Sequence, residues 1–232
     1  MRAGMDEATI RETLRAAAAP FSTAPPPPAP ELVYAPLFTA LAPDTGPDVY
    51  PLALEFVYEG YLSHYRVARL LAPDTSLPTR LLAGDHFDAS GLRLVARSGD
   101  LDAVKLLTRL MASCSWLRAE GRPFAYDDDL WALCVAGIAS SATGGNAITA
   151  MRAFDEVGRL FARDRAERLP EVVRRVAPTL WLRDPSALHV ALGLESAPAD
   201  EAAHGAAAPC GASRDATSAG DDAPRIGSEA AL

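Results

Sequence analysis

The chain has 232 residues, of which 49% are hydrophobic, and its formal net charge is −8. This length and apolar content allow a sizeable core, so we expect one main domain with tails. The acidic balance disfavours a nucleic-acid partner, because phosphate binding needs a basic surface. The cysteines are too widely spaced for a disulfide framework or a zinc site; they are Cys114, Cys134 and Cys210.

Residues 1–30 are predicted to form an N-terminal helix and a proline-rich linker. The helix spans 5–19, with a narrow apolar face around Ile10 and Leu14, and it stops at Pro20. Prolines over 25–30 favour an extended spacer. The chain has no signal-peptide pattern. It also lacks an apolar run of the about 20 residues that a bilayer span needs. We therefore expect a cytoplasmic protein without a transmembrane segment.

Residues 31–194 are predicted to form a single all-α domain. A short helix over 32–41 is followed by an amphipathic helix over 52–71, which ends before Pro73. Pro78 suits the first turn of the next helix. Gly99 can end that helix in the left-handed conformation, and the Asp100 carboxylate can cap the helix that follows.

The second half of the domain continues the helical pattern. Helices are predicted over 127–141 and 148–161, and from Pro170 through Val176 to Trp181. Asp127 and its two acidic neighbours suit a helix N-terminus, where negative charge is favourable, better than a metal site. No segment alternates with the period of a strand, so we expect an all-α helical bundle of roughly six to eight helices. Residues 195–232 are small and acidic, which predicts a disordered tail.

No standard catalytic or metal-binding motif is present in the sequence. His64 and His86 lie in predicted helices, where a histidine is most often a hydrogen-bonded structural residue. Glu55 and Glu59 lie one turn apart and are expected at a solvated helix edge. Cys114 and Cys134 lie among apolar residues and are expected to be buried, unreactive thiols.

One stretch carries a resemblance to a known family. Residues 81–110 read LLAGDHFDASGLRLVARSGDLDAVKLLTRL. They resemble the middle of trans-type polyprenyl diphosphate synthases, where a helix with an Ala-Gly-Asp motif precedes a long apolar face and a Gly-Asp turn. Gly84 and Asp85 match that motif. The stretch is most similar to the non-catalytic small subunit of two-component heptaprenyl diphosphate synthases. The resemblance spans residues 51–170 and implies a helical bundle of isoprenoid-synthase type.

Both metal motifs of that family are altered here. The enzymes carry a histidine followed by aspartates in their first aspartate-rich motif. His64 fits the histidine, whereas Tyr65, Arg66 and Arg69 stand at the aspartate positions. Mg²⁺ takes oxygen ligands, which arginine cannot supply. The second motif is also lost, its positions being held by Arg165, Ala166 and Leu169. The resemblance thus implies no catalytic residue and no bound metal in this chain, with Mg²⁺ expected only in a catalytic partner.

The function implied by the resemblance is that of a degenerate synthase, a pseudoenzyme. It would serve as the accessory subunit of a heteromeric trans-prenyltransferase in isoprenoid quinone side-chain synthesis. The expected partner is a catalytic polyprenyl diphosphate synthase subunit, giving a heterodimer, or a second copy of this chain; a prenyl lipid is a further candidate ligand. The helices 52–71 and 79–97 would supply the face for the partner or prenyl chain. Its candidate residues are Phe56, Leu62, Phe87 and Leu92.

Two alternatives stay open. The chain could be a non-enzymatic helical interaction or regulatory protein whose resemblance to the synthases is accidental. It could also catalyse alone with a displaced set of acids, if these converge on one pocket; the set comprises Glu55, Glu59, Asp85 and Asp88. We favour a structural role for the Gly-Asp motif, in which Gly84 permits close helix approach and Asp85 bonds a neighbouring helix.

Overall fold

The computed structural model describes residues 5–21, 28–43, 49–180 and 182–193. Within these residues the chain forms α-helices and short 3₁₀ turns and no strand, which confirms the all-α prediction. The helices are α1 (Glu7–Ala18), α2 (Tyr34–Leu41), α3 (Val49–Tyr65), α4 (Leu77–Ser98), α5 (Leu101–Ala119), α6 (Ala125–Ala142), α7 (Ile148–Phe161), α8 (Leu169–Val176) and α9 (Ser186–Ala191). The predicted disordered tail over 195–232, with Cys210, lies outside the described residues, as does Trp181.

The N-terminal helix packs against the main domain and does not stand apart from it. The Asp6 carboxylate caps α1 by accepting the backbone N–H of Thr9 at 2.7 Å. The apolar face of α1 buries Ile10 and Leu14, which belong to a smaller core that also contains Phe87. This core includes side chains of α3 and α4, so α1 covers one side of that helix pair.

Helix α3 lies at the centre of the described structure. Its buried residues face in all directions around the helix, so it is a core helix, although the sequence suggested an amphipathic one. The helix ends at Tyr65, earlier than the predicted 71, because the chain turns back after it. The backbone N–H groups of Arg69 and Leu70 donate to Glu59 Oε1 at 2.8 and 2.9 Å, which ties the returning segment to α3.

Helices α3 and α4 approach closely because glycines line their contact. A Cβ atom at Gly91 would lie 2.7 Å from the carbonyl oxygen of Ala53 and 2.6 Å from Val57 Cγ2. A Cβ atom at Gly84 would lie 2.6 Å from the Nε2 atom of His64. A side chain at Gly91 would therefore press on the backbone of α3, and one at Gly84 would displace the His64 ring. Glycine at both positions therefore permits the close approach expected for Gly84.

The junction between α4 and α5 forms as the sequence predicted. Gly99 ends α4 in the left-handed conformation, with a φ of 84°. The Asp100 carboxylate caps α5 by accepting the N–H groups of Asp102 and Ala103 at 3.1 and 2.9 Å. It also accepts the hydroxyl of Tyr50 at 2.6 Å, so the cap is linked to α3.

The C-terminal helices complete the larger core. Helix α6 runs through this core and begins at Ala125, before the predicted Asp127. Helix α8 ends at Val176 where a longer helix was predicted, and α9 follows as an additional short helix. Over the described ranges, no helix is both long enough and apolar enough to cross a membrane.

Candidate functional site

Four helices, α3 to α6, enclose a pocket of about 270 Å³, which we call the α3–α6 pocket. Its apolar lining comes from core positions of α3 and α5, which include Val57, Leu110 and Met111. Nothing in their helical spacing separates these positions from ordinary core. The sequence pattern therefore does not reveal the pocket, although the three residues of its polar rim, His64, Asp85 and Asp88, are among the candidates that it offers.

The polar rim of the pocket consists of His64, Asp85 and Asp88. The His64 Nε2 atom lies 3.3 Å from Asp85 Oδ1 and 3.7 Å from Asp88 Oδ2. Gly84 makes this possible, because the imidazole lies where its side chain would be. The expected contact of Asp85 with a neighbouring helix is therefore present, and the residue it meets is His64.

Asp88 is the more buried of the two rim carboxylates. Its side chain is 16% exposed, against 75% for that of Asp85. Burial, with a smaller contribution from the nearby Asp85 charge, raises the pKa of Asp88 to about 7. The Asp88 Oδ1 atom is buried and has no hydrogen-bond partner among the described residues. This oxygen lies against Gly60 of α3, in the contact between the two helices.

Aromatic side chains form one wall of the pocket: Tyr61 and Tyr65 from α3 and Trp131 from α6. The Tyr65 hydroxyl and the Ser115 hydroxyl lie 2.9 Å apart. Trp131 stacks on Tyr34, with ring centroids 4.6 Å apart. Although Trp131 is only 1% exposed, its Nε1–H donor has no partner within the described part of the chain. Its ring is held in the wall by contacts with Tyr34, Tyr58 and Tyr61.

Asp127 acts as a partner of α3 and not as a helix cap. Its carboxylate accepts the Tyr61 hydroxyl at 2.5 Å and lies 3.0 Å from the Arg118 guanidinium. Burial raises the pKa of Asp127, while the Tyr61 hydrogen bond and Arg118 oppose that rise. The residue at the N-cap of α6 is Phe124, which makes no side-chain capping bond. The sequence placed Asp127 correctly near a helix N-terminus but missed its tertiary role.

Arg69, at one aspartate position of the resemblance, lies in a buried charge network. Its guanidinium binds Glu55 Oε2 at 2.9 Å and Glu59 Oε2 at 2.8 Å. Both glutamates are 0% exposed, so the expectation of a solvated helix edge was wrong. The other oxygen of Glu55 accepts the N–H groups of residues 33–35 at 2.7, 2.7 and 2.9 Å. Glu55 thereby caps α2, whose own N-cap residue, Val33, makes no side-chain capping bond.

The remaining first-motif positions divide between two places. His64 and Tyr65 line the α3–α6 pocket, whereas Arg66 lies outside its lining. The Arg66 guanidinium donates to the Tyr61 hydroxyl at 3.2 Å and packs over the ring of Phe124, 4.3 Å from its centroid. With Arg69 in the glutamate network, the four residues predicted as one motif thus lie in three separate environments.

The proposed set of four displaced acids does not converge. Asp85 and Asp88 line the α3–α6 pocket, whereas Glu55 and Glu59 bind Arg69 and are absent from its lining. Because catalysis with this set requires all four carboxylates in one pocket, the arrangement does not favour that hypothesis. In the described ranges, no three His, Cys, Asp or Glu side chains are grouped so as to hold a metal ion.

The apolar residues suggested as a partner or prenyl-chain face are largely internal. Phe56, Leu62 and Phe87 are buried, because α1 covers one side of α3 and α4 and the larger core covers another. Leu92 is partly exposed. The two thiols are also buried, and burial raises the pKa of both Cys114 and Cys134, as expected for unreactive cysteines.

No protein-family model matches the chain, and neither a curated protein nor a solved structure matches it. The resemblance to trans-type polyprenyl diphosphate synthases therefore stays a prediction that rests on the motifs in residues 51–170.

Proposed function

We propose that this protein is a non-catalytic subunit of isoprenoid-synthase type. It pairs with a catalytic trans-polyprenyl diphosphate synthase in isoprenoid quinone side-chain synthesis. The observation that carries the proposal is the position of Arg69. Where the resemblance places a metal-binding aspartate, this chain has an arginine bound to two buried glutamates.

The Arg69 network supports the proposal that this chain is non-catalytic and keeps the helical framework. An aspartate in place of Arg69 would bring a third carboxylate close to Glu55 and Glu59, with no cation to neutralise them. Buried carboxylates without a counter-ion are strongly unfavourable. The arginine is therefore a stabilising part of this chain, because it joins Glu55 and Glu59 of α3 to the segment that follows that helix.

The charge of the α3–α6 pocket supports the same proposal. No arginine or lysine is among its lining residues, and Asp85 and Asp88 lie at its rim. A substrate diphosphate would meet like charge there. Diphosphate sites normally supply arginine, lysine or divalent cations. The diphosphate chemistry is accordingly assigned to the partner, and this chain contributes through protein contacts.

The experiment is affinity purification of the tagged full-length protein from its native cell extract, followed by mass spectrometry and reconstitution. We expect an equimolar synthase that retains both aspartate-rich motifs. We also expect the product chain length to change when this protein is omitted from the reconstituted pair. The isolated chain should give no product from allylic diphosphate, homoallylic diphosphate and Mg²⁺.

Two outcomes would overturn the proposal. Prenyl transfer by the isolated chain would show that it is an enzyme in its own right. Asp85→Asn would then test the displaced acids, with Asp102→Asn as the matched surface control. If no synthase co-purifies, the alternative of a helical interaction or regulatory protein takes precedence.

A further inference from the structure

We propose that the α3–α6 pocket binds a small organic cation, namely a primary or methylated amine carried on an apolar body. This inference does not rest on the proposed subunit function. It follows from the charge, the walls and the volume of the pocket.

The charge at the rim selects a cation. Two carboxylates, Asp85 and Asp88, line the pocket, and its lining contains no arginine or lysine. The imidazole of His64 lies near both carboxylates, so the rim has two acidic groups and one basic group. A positively charged ligand head is therefore attracted to the rim, and an anion is repelled.

The walls suit an ammonium head on an apolar body. The rings of Tyr61, Tyr65 and Trp131 line the pocket, and the apolar side chains of Val57 and Leu110 complete it. Aromatic faces attract cations through their quadrupoles, and methylated ammonium groups are recognised in this way. A carboxylate beside several aromatic rings combines both attractions in one cavity.

The pocket volume limits the size of the ligand. At about 270 Å³ the pocket falls below the usual range of about 300–1,000 Å³ for drug-sized ligands. The ligand is therefore a small amine.

Methionine-methyl NMR provides a local reporter for this proposal. The chain has four methionines, and among the described ones only Met111 lines the pocket. The full chain is labelled with ¹³C at the methionine methyl groups, and Met111→Leu assigns the signal. Tyramine is the cationic probe, 4-(2-hydroxyethyl)phenol its neutral counterpart and 3-(4-hydroxyphenyl)propionate its anionic counterpart.

We expect tyramine to shift the Met111 signal in a saturable way at about pH 8, where the amine is charged and Asp88, whose pKa is raised to about 7, is ionised. The neutral probe should bind at least about tenfold more weakly, because it lacks the charge-assisted bond to the rim. The anionic probe should leave the signal unchanged. Equal binding of the neutral or anionic probe, or no Met111 shift with tyramine, would overturn the proposal.

Variants of the rim give a second test. Asp85→Asn removes a charge from a side chain that is 75% exposed, so it leaves the fold intact. We expect a loss of tyramine affinity of about tenfold, and a further loss when Asp88→Asn is added. The matched control is Asp102→Asn, which removes a carboxylate on α5 that is paired with Lys105 at the surface. Equal affinity in Asp85→Asn and the control would contradict the assignment.

Discussion

Replacing Glu55 by alanine tests the buried charge network of Arg69 most directly. The Glu55 carboxylate makes four contacts, three with the backbone N–H groups of residues 33–35 and one with Arg69. The Glu55→Ala variant leaves the first turn of α2 without a cap. It also leaves Arg69, whose side chain is 15% exposed, with Glu59 as its remaining carboxylate partner.

The expected loss of stability can be worked out from these contacts. Removing one partner of a buried ion pair costs about 3–5 kcal/mol, because the other charge stays buried. Each unsatisfied N–H adds about 1–3 kcal/mol, but these costs overlap and water relieves some of them. We therefore expect the free energy of unfolding to fall by about 4 kcal/mol. For a domain of this size that corresponds to a fall in Tm of roughly 10 °C.

The assay is urea unfolding followed by circular dichroism, with Glu156→Ala as the matched control. Glu156 pairs with Arg175 at the surface, where the two side chains are 35% and 61% exposed. Exposed pairs of this kind contribute less than about 1 kcal/mol. Glu55→Gln should fall between the two variants, since the amide keeps an acceptor oxygen but loses the charge facing Arg69. If Glu55→Ala lowers the free energy of unfolding no more than Glu156→Ala does, the network does not stabilise the fold and the prediction is wrong.

Three further predictions concern the helix contact, the rim and the cap. Gly91→Ala should destabilise the protein by about 1–2 kcal/mol, because its Cβ would meet the Ala53 carbonyl. Gly158 in α7 has open space around it, so Gly158→Ala should instead stabilise the protein by up to about 1 kcal/mol. Thermal unfolding of the two variants should therefore show shifts in Tm of opposite sign. Ionisation of Asp88 is unfavourable in the folded state, since burial raises its pKa from 3.8 to about 7. The protonated Asp88 side chain makes its full contribution to stability below about pH 4. As the pH rises from there through about 7, the free energy of unfolding falls by at most roughly 4 kcal/mol. The Asp88→Asn variant has no carboxylate to ionise and should not lose stability in this way. The difference in the free energy of unfolding between the variant and the native chain, measured with urea at about pH 5 and pH 8, should therefore grow with pH. A difference that stays constant with pH would contradict the assignment. Asp100→Ala should lower the free energy of unfolding by about 1–2 kcal/mol, because it removes both the cap of α5 and the hydrogen-bond partner of the Tyr50 hydroxyl. Loss of the cap alone would lower it by about 1 kcal/mol. Adding Tyr50→Phe to Asp100→Ala separates the two contributions in a double-mutant cycle.

The sequence was informative wherever a structural feature depends on neighbouring residues. The end of α4 at Gly99 and the cap of α5 at Asp100 follow from backbone geometry and from a carboxylate within reach of free N–H groups. The all-α class follows from periodicity in the same way. Gly84 was recognised as a position of close approach, although the partner side chain, that of His64, was known only from the structure.

The tertiary structure alone decided the environments of the charged and aromatic side chains. Glu55 and Glu59 have the spacing of an exposed edge, yet they are buried because the segment after α3 returns and inserts Arg69 between them. Phe56 and Phe87 have the pattern of an open apolar face, yet α1 covers them. Periodicity reports which residues share a face of a helix, but not which distant element packs on that face. The α3–α6 pocket depends on four helices meeting, and for that reason its rim and its aromatic wall were evident only in the folded chain.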